Sequence, residues 1–405
     1  MKISNNKSQE SQPTVENTHT ENDSILRNPN LLIIFCITLT SIMGISSITP
    51  VLPMMSQVFM VSASQIAWLI TIFTLPGIIL TPVLGMLADL IGRKKVLVPS
   101  LLLFSVAGFA CTFAQSYEQL LLFRFIQGIG VAALGALNLT MIGDLFSGNR
   151  RATAMGYNSA VLSFGATLYP AIGGGLAIFG WYFPFYLPLL ALPVALLVLV
   201  KLETVVPASL ESKTAYLNTL KQNLLNKQVL LLFVATLISF LILYGPILTI
   251  IPFFMTDNFT ESPLKIGIGL GFVAVGNGLA SASMGRLAAR FKEQNLLKFS
   301  FAAYSVLFLI IPFSVSFEML VFMLGVFGLC QGINLPVIIT LVLTYTTTES
   351  RAAVMSVNAM VLQIAQTTAP LIVTFILAAS GYLTVYVASA VLALIAGTMV
   401  IFKLR

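Results

Sequence analysis

Arg124 is the residue of this sequence most out of place. It lies in residues 120–132, LLLFRFIQGIGVA, where every neighbour except Gln127 is apolar or glycine. If that run crosses a lipid bilayer, the guanidinium is a functional group by default. It keeps its proton, so its chemistry is to hold an anionic group, shift a neighbour's pKa or bond backbone carbonyls. A second constellation occupies residues 85–97, GMLADLIGRKKVL, with Gly85, Asp89, Gly92, Arg93 and Lys94. The glycines suit a tight turn and close helix approach, Asp89 can cap or pair near helix ends, and Arg93 can reach across to another helix, where the later Asp144 is a candidate partner. A third group is neutral: Asn138, Asn158, Tyr244, Gln331, Asn334, Asn358, Gln363 and Gln366 interrupt apolar stretches and offer hydrogen bonds without charge. No Asp or Glu stands in the middle of such a stretch. Cys36, Cys111 and Cys330 are each alone in apolar surroundings and read as packing residues. The single histidine, His19, sits in a polar segment. Neither a metal site nor a cofactor site is expected, and no catalytic cluster that would mark an enzyme.

The elements that carry these groups follow from composition. The 405 residues are 58% hydrophobic and 9% charged, with a mean hydropathy of +0.97. A soluble domain carries about 25% charged residues, so this chain must use lipid as solvent. A bilayer admits helices or closed barrels, and the long apolar runs lack the alternation of barrel strands. Spanning helices need about 20 apolar residues. Twelve segments meet that length: 31–54, 64–88, 95–115, 119–142, 152–178 and 181–201, then 229–255, 264–289, 295–315, 318–345, 351–379 and 381–402. Residues 1–28 are polar and expected to be a disordered tail with no cleavable signal. The halves are therefore 29–201 and 229–405, joined by a polar stretch at 202–228.

Of the 21 Lys and Arg, all but Arg124 and Lys265 fall on one side of the twelve-segment path. That bias makes the basic side, with both termini, cytoplasmic. It also disposes of a nucleic-acid reading of the +7 net charge, because the cations sit in short loops. The sequence repeats itself as well. RATAMGYNSAVLSFGATLYPAI from Arg151 is echoed by RAAVMSVNAMVLQIAQTTAPLI from Arg351, with Asn158/Asn358 and Pro170/Pro370 in register, and Gln127-Gly128 by Gln331-Gly332. Two parallel six-helix repeats are a transporter architecture, with the ligand held near the midplane between them.

Three motifs give the resemblance a name. Residues 85–97 resemble the signature of the major facilitator superfamily between helices 2 and 3, and residues 120–132 its helix 4 signature. Residues 156–175, GYNSAVLSFGATLYPAIGGG, resemble the helix 5 antiporter signature through Gly156, Gly165, Pro170, Gly173 and Gly174. Leu90 stands where the family carries a basic residue, Tyr169 where it carries a glycine, and the second-half copy GRLAARFK has Ala289 at its acidic position. The resemblance implies an all-α membrane protein of twelve transmembrane helices in two pseudo-symmetric halves. It further implies a monomer in the cell membrane that exports a hydrophobic small molecule in exchange for protons, as in the twelve-helix drug:proton antiporter branch. An Arg93–Asp144 pair would then latch the cytoplasmic side. The missing midplane carboxylate argues against a cationic drug and leaves the proton carrier unassigned. An importer or uniporter of a sugar or organic anion on the same fold remains open.

Overall fold

The computed structural model describes residues 25, 27–146, 148–202, 226–346 and 351–403. His19, most of the tail and most of the central polar stretch lie outside the described residues. Every regular element among those described is helical.

The first helix, α1, is Pro29–Val58. Asn28 caps it, its Oδ1 accepting from Asn30 N at 2.9 Å, and Pro29 fills the first position, where no N–H is required. α2, Ala63–Ile91, opens with a reciprocal Ser62–Gln65 capping box and ends at Gly92, whose φ of +99° only glycine adopts without strain. α3 is Arg93–Phe113. α4 comes in two pieces, Tyr117–Val131 and Leu134–Leu145. α5 is Gly148–Leu176 and α6 Phe183–Lys201.

The second half repeats the first. α7, Lys227–Asn258, is capped by Asn226 as α1 is by Asn28. Midway it widens to a π-helix over Leu243–Ile250 around Pro246, which has no N–H to give the normal ladder. α8 is Pro263–Ala282, continued by Met284–Arg290; α9 is Glu293–Phe313 and α10 Phe317–Thr344. α11 and α12 are the two limbs of Arg351–Lys403, which turns over at Gly381, φ +76°.

Nine described stretches are long and apolar enough to span a bilayer by themselves. One, Val357–Phe402, contains the reversal at Gly381 and holds two traversals. α4 and α5 are not among the nine, because α4 breaks after Val131 and α5 spends its length on Gly, Ser, Thr and Asn. The fold is consistent with the twelve expected traversals, and the sequence-read boundaries fall within a few residues of the helix ends.

Each half has its own core. Leu31, Ile34, Phe104 and Leu134 belong to the first, and Leu232, Phe301, Phe327 and Val342 to the second. A third cluster joins the halves at one end, where Phe253 of α7 packs with Ile48, Val51, Leu52 and Ile66.

Candidate transport site

The two halves meet along α5–α8 and α2–α11, and both contacts are graded along their length. On the first, a Cβ added at Gly174 or Gly267 would run into the backbone carbonyls of Pro263 and Pro170. At Gly271 it would stand 2.9 Å from the Thr167 carbonyl, and at Gly278 3.8 Å from Ser163 Cβ. At Gly156, further along α5, it would meet nothing within 4 Å. The second contact is a ladder of hydroxyls. Ser64 Oγ donates to Thr374 O at 3.2 Å, Thr71 Oγ1 to Thr367 O at 2.9 Å, and Thr367 Oγ1 to Thr74 Oγ1 at 3.0 Å. Gly77 then faces the Gln363 amide, and Gly85 faces open space. The halves are therefore closed at the end away from the Asp89–Arg93 loop and splayed at the loop end. Small residues let membrane helices approach to this degree, which gives Gly173 and Gly174 their purpose: Gly173 lies against the Ser47 carbonyl of α1 and Gly174 against α8. Gly165 packs on Leu39 and Ile42 of α1.

Further polar side chains stand on α7 and α11, close to the first half. Tyr244, at the start of the π-helix, accepts a hydrogen bond from Gln366 Nε2 at 2.8 Å, and both are half-buried. Gln363 and Phe240 are half-buried nearby on the same two helices. Of the sequence-read amides, Gln363 and Gln366 are the ones that are only half-buried.

The remaining amides sit inside their own halves. Asn158 accepts from Thr38 Oγ1 at 2.5 Å, while Asn138 donates to the same Thr38. In the second half Asn358 accepts from Thr236 Oγ1 at 2.8 Å. Thr38–Asn158 joins α1 to α5 as Thr236–Asn358 joins α7 to α11, so the internal repeat extends to a shared interhelical bond. Asn334 bridges Ser239 at 2.7 Å and Ser300 at 3.0 Å, and Gln331 takes the Tyr304 hydroxyl. All five are buried braces, a role their polarity alone did not separate from ligand contact. The partner threonines were legible, since Asn28, Thr38 and Ser41 recur as Asn226, Thr236 and Ser239.

Arg124 is 0% exposed. Its Nε donates to Leu69 O at 3.3 Å, its Nη1 to Gln127 Oε1 at 2.6 Å, and its guanidinium lies 4.0 Å from the Phe73 ring centroid. It is held between α2 and α4 inside the first half, not on the gap. No carboxylate pairs with it among the described residues, and its Nη2 and the neighbouring Gln127 Nε2 are left without partners. The cation is thus stabilised by a carbonyl, an amide and a ring, with one donor to spare.

At the loop end Arg93, buried, bridges two acids. Its Nη2 is 3.1 Å from Asp89 Oδ1 and its Nε 2.7 Å from Asp144 Oδ2. Lys94 is half-buried beside it and Leu90 is exposed. All three helices concerned, α2, α3 and α4, belong to the first half. The cluster thus ties that half's loop end together and, in this conformation, does not span the gap as a latch would. With partly exposed acids its contribution is about 1 kcal/mol. Arg93→Ala, which also leaves two acids facing each other, is expected to lower transport severalfold with membrane insertion intact, and Asp89→Asn less. Transport assays at matched expression check this; wild-type rates in both variants would remove the cluster from the cycle.

Two repeats, each braced internally and facing one another across a graded, neutral contact, are the build of a membrane carrier. Comparison agrees: the Major Facilitator Superfamily profile matches residues 34–260 and again 232–405, and the chain belongs to that family. It is 34% identical over 163 residues, 38% of the chain, to the bacillibactin exporter of Bacillus subtilis. It is 35% identical over 127 residues, 31% of the chain, to the multidrug transporter protein MdtP of the same organism. It is 26% identical over 246 residues, 60% of the chain, to the quinolone resistance protein NorA of Staphylococcus aureus. The matched stretches span 40%, 24% and 63% of those relatives. In fold it is similar to the nucleoside transporter NupG, with a TM-score of 0.77 over 93% of this chain and 100% of that one at 14% identity. It is also similar to a bacterial homologue of the lysosomal transporter Spinster, with a TM-score of 0.76 over 94% and 96% at 18% identity. The protein is a multi-pass protein of the cell membrane.

Proposed function

We propose that this chain exports a hydrophobic, neutral or weakly anionic small molecule from the cytoplasm in exchange for protons, working as a monomer by alternating access. The graded α5–α8 crossing carries the alternation: packed from Gly174 to Gly271 and open at Gly156, it is one end of a rocking motion. The basic bias of the loop end makes that end cytoplasmic, so this conformation faces inward. Export is supported by the helix 5 signature and by the relatives' names, one an exporter, one a multidrug transporter and one a quinolone resistance protein. The neutral Tyr244–Gln366 pair and Gln363 would orient the cargo. With no carboxylate in mid-span to offset its charge, a permanent cation is disfavoured there.

The test is transport of a compound panel into inverted vesicles with and without a pH gradient. Gradient-driven accumulation of a neutral amphiphile such as a phenicol, above that of a quaternary-ammonium dye, is the expected result. Robust export of the dye alone would overturn the substrate reading, and gradient-independent equilibration of a metabolite would make the chain a uniporter. For orientation, a cysteine at Ser262 should label with an impermeant reagent in intact cells, and one at Ser212 should not.

A further inference from the structure

The closed end contains a crevice of about 340 Å³, at the lower end of the size range of small-molecule sites. Its walls come from both halves: Pro53, Gln57 and Ile178 from the first, Thr256, Glu261 and Ile266 from the second. Pro53 and Ile266 are buried and make an apolar floor, while Gln57, Ile178 and Glu261 are exposed at the rim. Glu261 is the one charged side chain lining it. No ion pair holds that carboxylate among the described residues, although Lys265 stands one helical turn on. The same end carries exposed Glu118, Asp257 and Glu318 against that single lysine, so its field is negative.

We propose that this crevice binds a lipophilic monovalent cation, and that occupancy holds the closed end shut and inhibits transport. The apolar floor supplies contact area, and the rim carboxylate selects the sign of charge. Because the walls belong to different halves, the crevice exists only while they are together. A ligand that fits it draws the population toward the inward-facing state. The consequence is an inversion: cations unsuited to the mid-membrane gap are ligands at the outer crevice, and act there as inhibitors rather than cargo. The inhibitory arm rests on the alternating-access reading; the binding arm does not.

Binding of radiolabelled tetraphenylphosphonium to the purified protein tests it, with tetraphenylborate as a probe of the same shape and opposite charge. A solvent-exposed carboxylate about 4 Å from a cation contributes about 1 kcal/mol, so Glu261→Gln is expected to weaken phosphonium binding about fivefold. Ile178→Trp, which fills the crevice, should abolish it, and the borate should not compete. Both variants should transport a neutral substrate at the wild-type rate, with phosphonium inhibition lost in step with binding. No phosphonium binding, binding unchanged in both variants, or equal binding of the borate would each overturn the proposal. A wild-type protein that binds phosphonium in this way but transports nothing would sink the transport reading and leave the site standing.

Discussion

Gly267→Val should destroy transport of every substrate and sharply lower the thermal stability of the purified protein. The Cβ would run into the Pro170 carbonyl of α5. Backbone cannot turn aside as a side chain does, so two helices must part along their length. Overpacking costs up to about 3 kcal/mol in tight sites, and more where nothing can yield. Gly278→Val is the internal control: there the nearest atom is Ser163 Cβ at 3.8 Å, ordinary contact, and the protein should unfold near the wild-type temperature. Gly156→Val should also fold normally, since nothing lies within 4 Å, but it should slow transport if the splayed end must close on α5. Thermal unfolding and transport, measured on all three variants, check these outcomes. A wild-type unfolding temperature for Gly267→Val would mean that α5 and α8 do not cross carbonyl against glycine.

The second large effect is at Arg124. Arg124→Ala is expected to abolish gradient-driven transport. It removes the donors to Leu69 O and Gln127, and the cation over Phe73, leaving Gln127 buried with nothing to bond. Arg124→Lys keeps the charge but loses the fork, and one ammonium cannot reproduce two divergent bonds together with the planar stacking on the ring. It should fold, and transport with a reduced response to the pH gradient. A dose–response of transport against imposed gradient separates the cases: a response in the lysine variant equal to wild type would show that Arg124 only braces the bundle. So would an alanine variant that folds and still responds to the gradient.

What could be read from the sequence divides along physical lines. The all-helical membrane class, the pairing of repeats and the family were legible because they rest on averages over many residues: hydropathy across 20 positions, charge across every loop, and matched Asn and Pro in α5 and α11. The Arg93–Asp89–Asp144 cluster was legible in its members but not in its reach, because spacing alone does not say that α2, α3 and α4 lie in one half. The amides were the least legible. Asn138, Asn158, Asn334 and Asn358 bond to Thr38, Ser239, Ser300 and Thr236 within their halves, while Gln363 lies against Gly77 and Gln366 bonds Tyr244, both half-buried, and nothing in residue type distinguishes the two fates. That distinction depends on rotation about each helix axis, which period-3.6 patterning blurs when both faces are apolar. The hydroxyl ladder of Ser64, Thr71, Thr74 and Thr367 was hidden for a similar reason: isolated Ser and Thr are common in membrane helices, and only the facing helix gives them meaning.

The carbonyl-to-glycine crossing of α5 and α8 also shapes how such a protein could change its repertoire. Selection for growth on a new toxic compound draws on the variants a single nucleotide change can supply. At Gly174 and Gly267 almost every such variant places a carbon where a carbonyl already stands, and under the proposed export function transport of all compounds would be lost at once. At Tyr244, Gln363 and Gln366 the neighbours are side chains, and under the proposed function a replacement would alter which compound fits while the halves still close. Under the proposed function, variants selected on a new compound should therefore accumulate changes around Tyr244, Gln363 and Gln366 and almost none along the crossing. The spectrum a population handles can then drift widely from lineage to lineage on a mechanical axis that stays put.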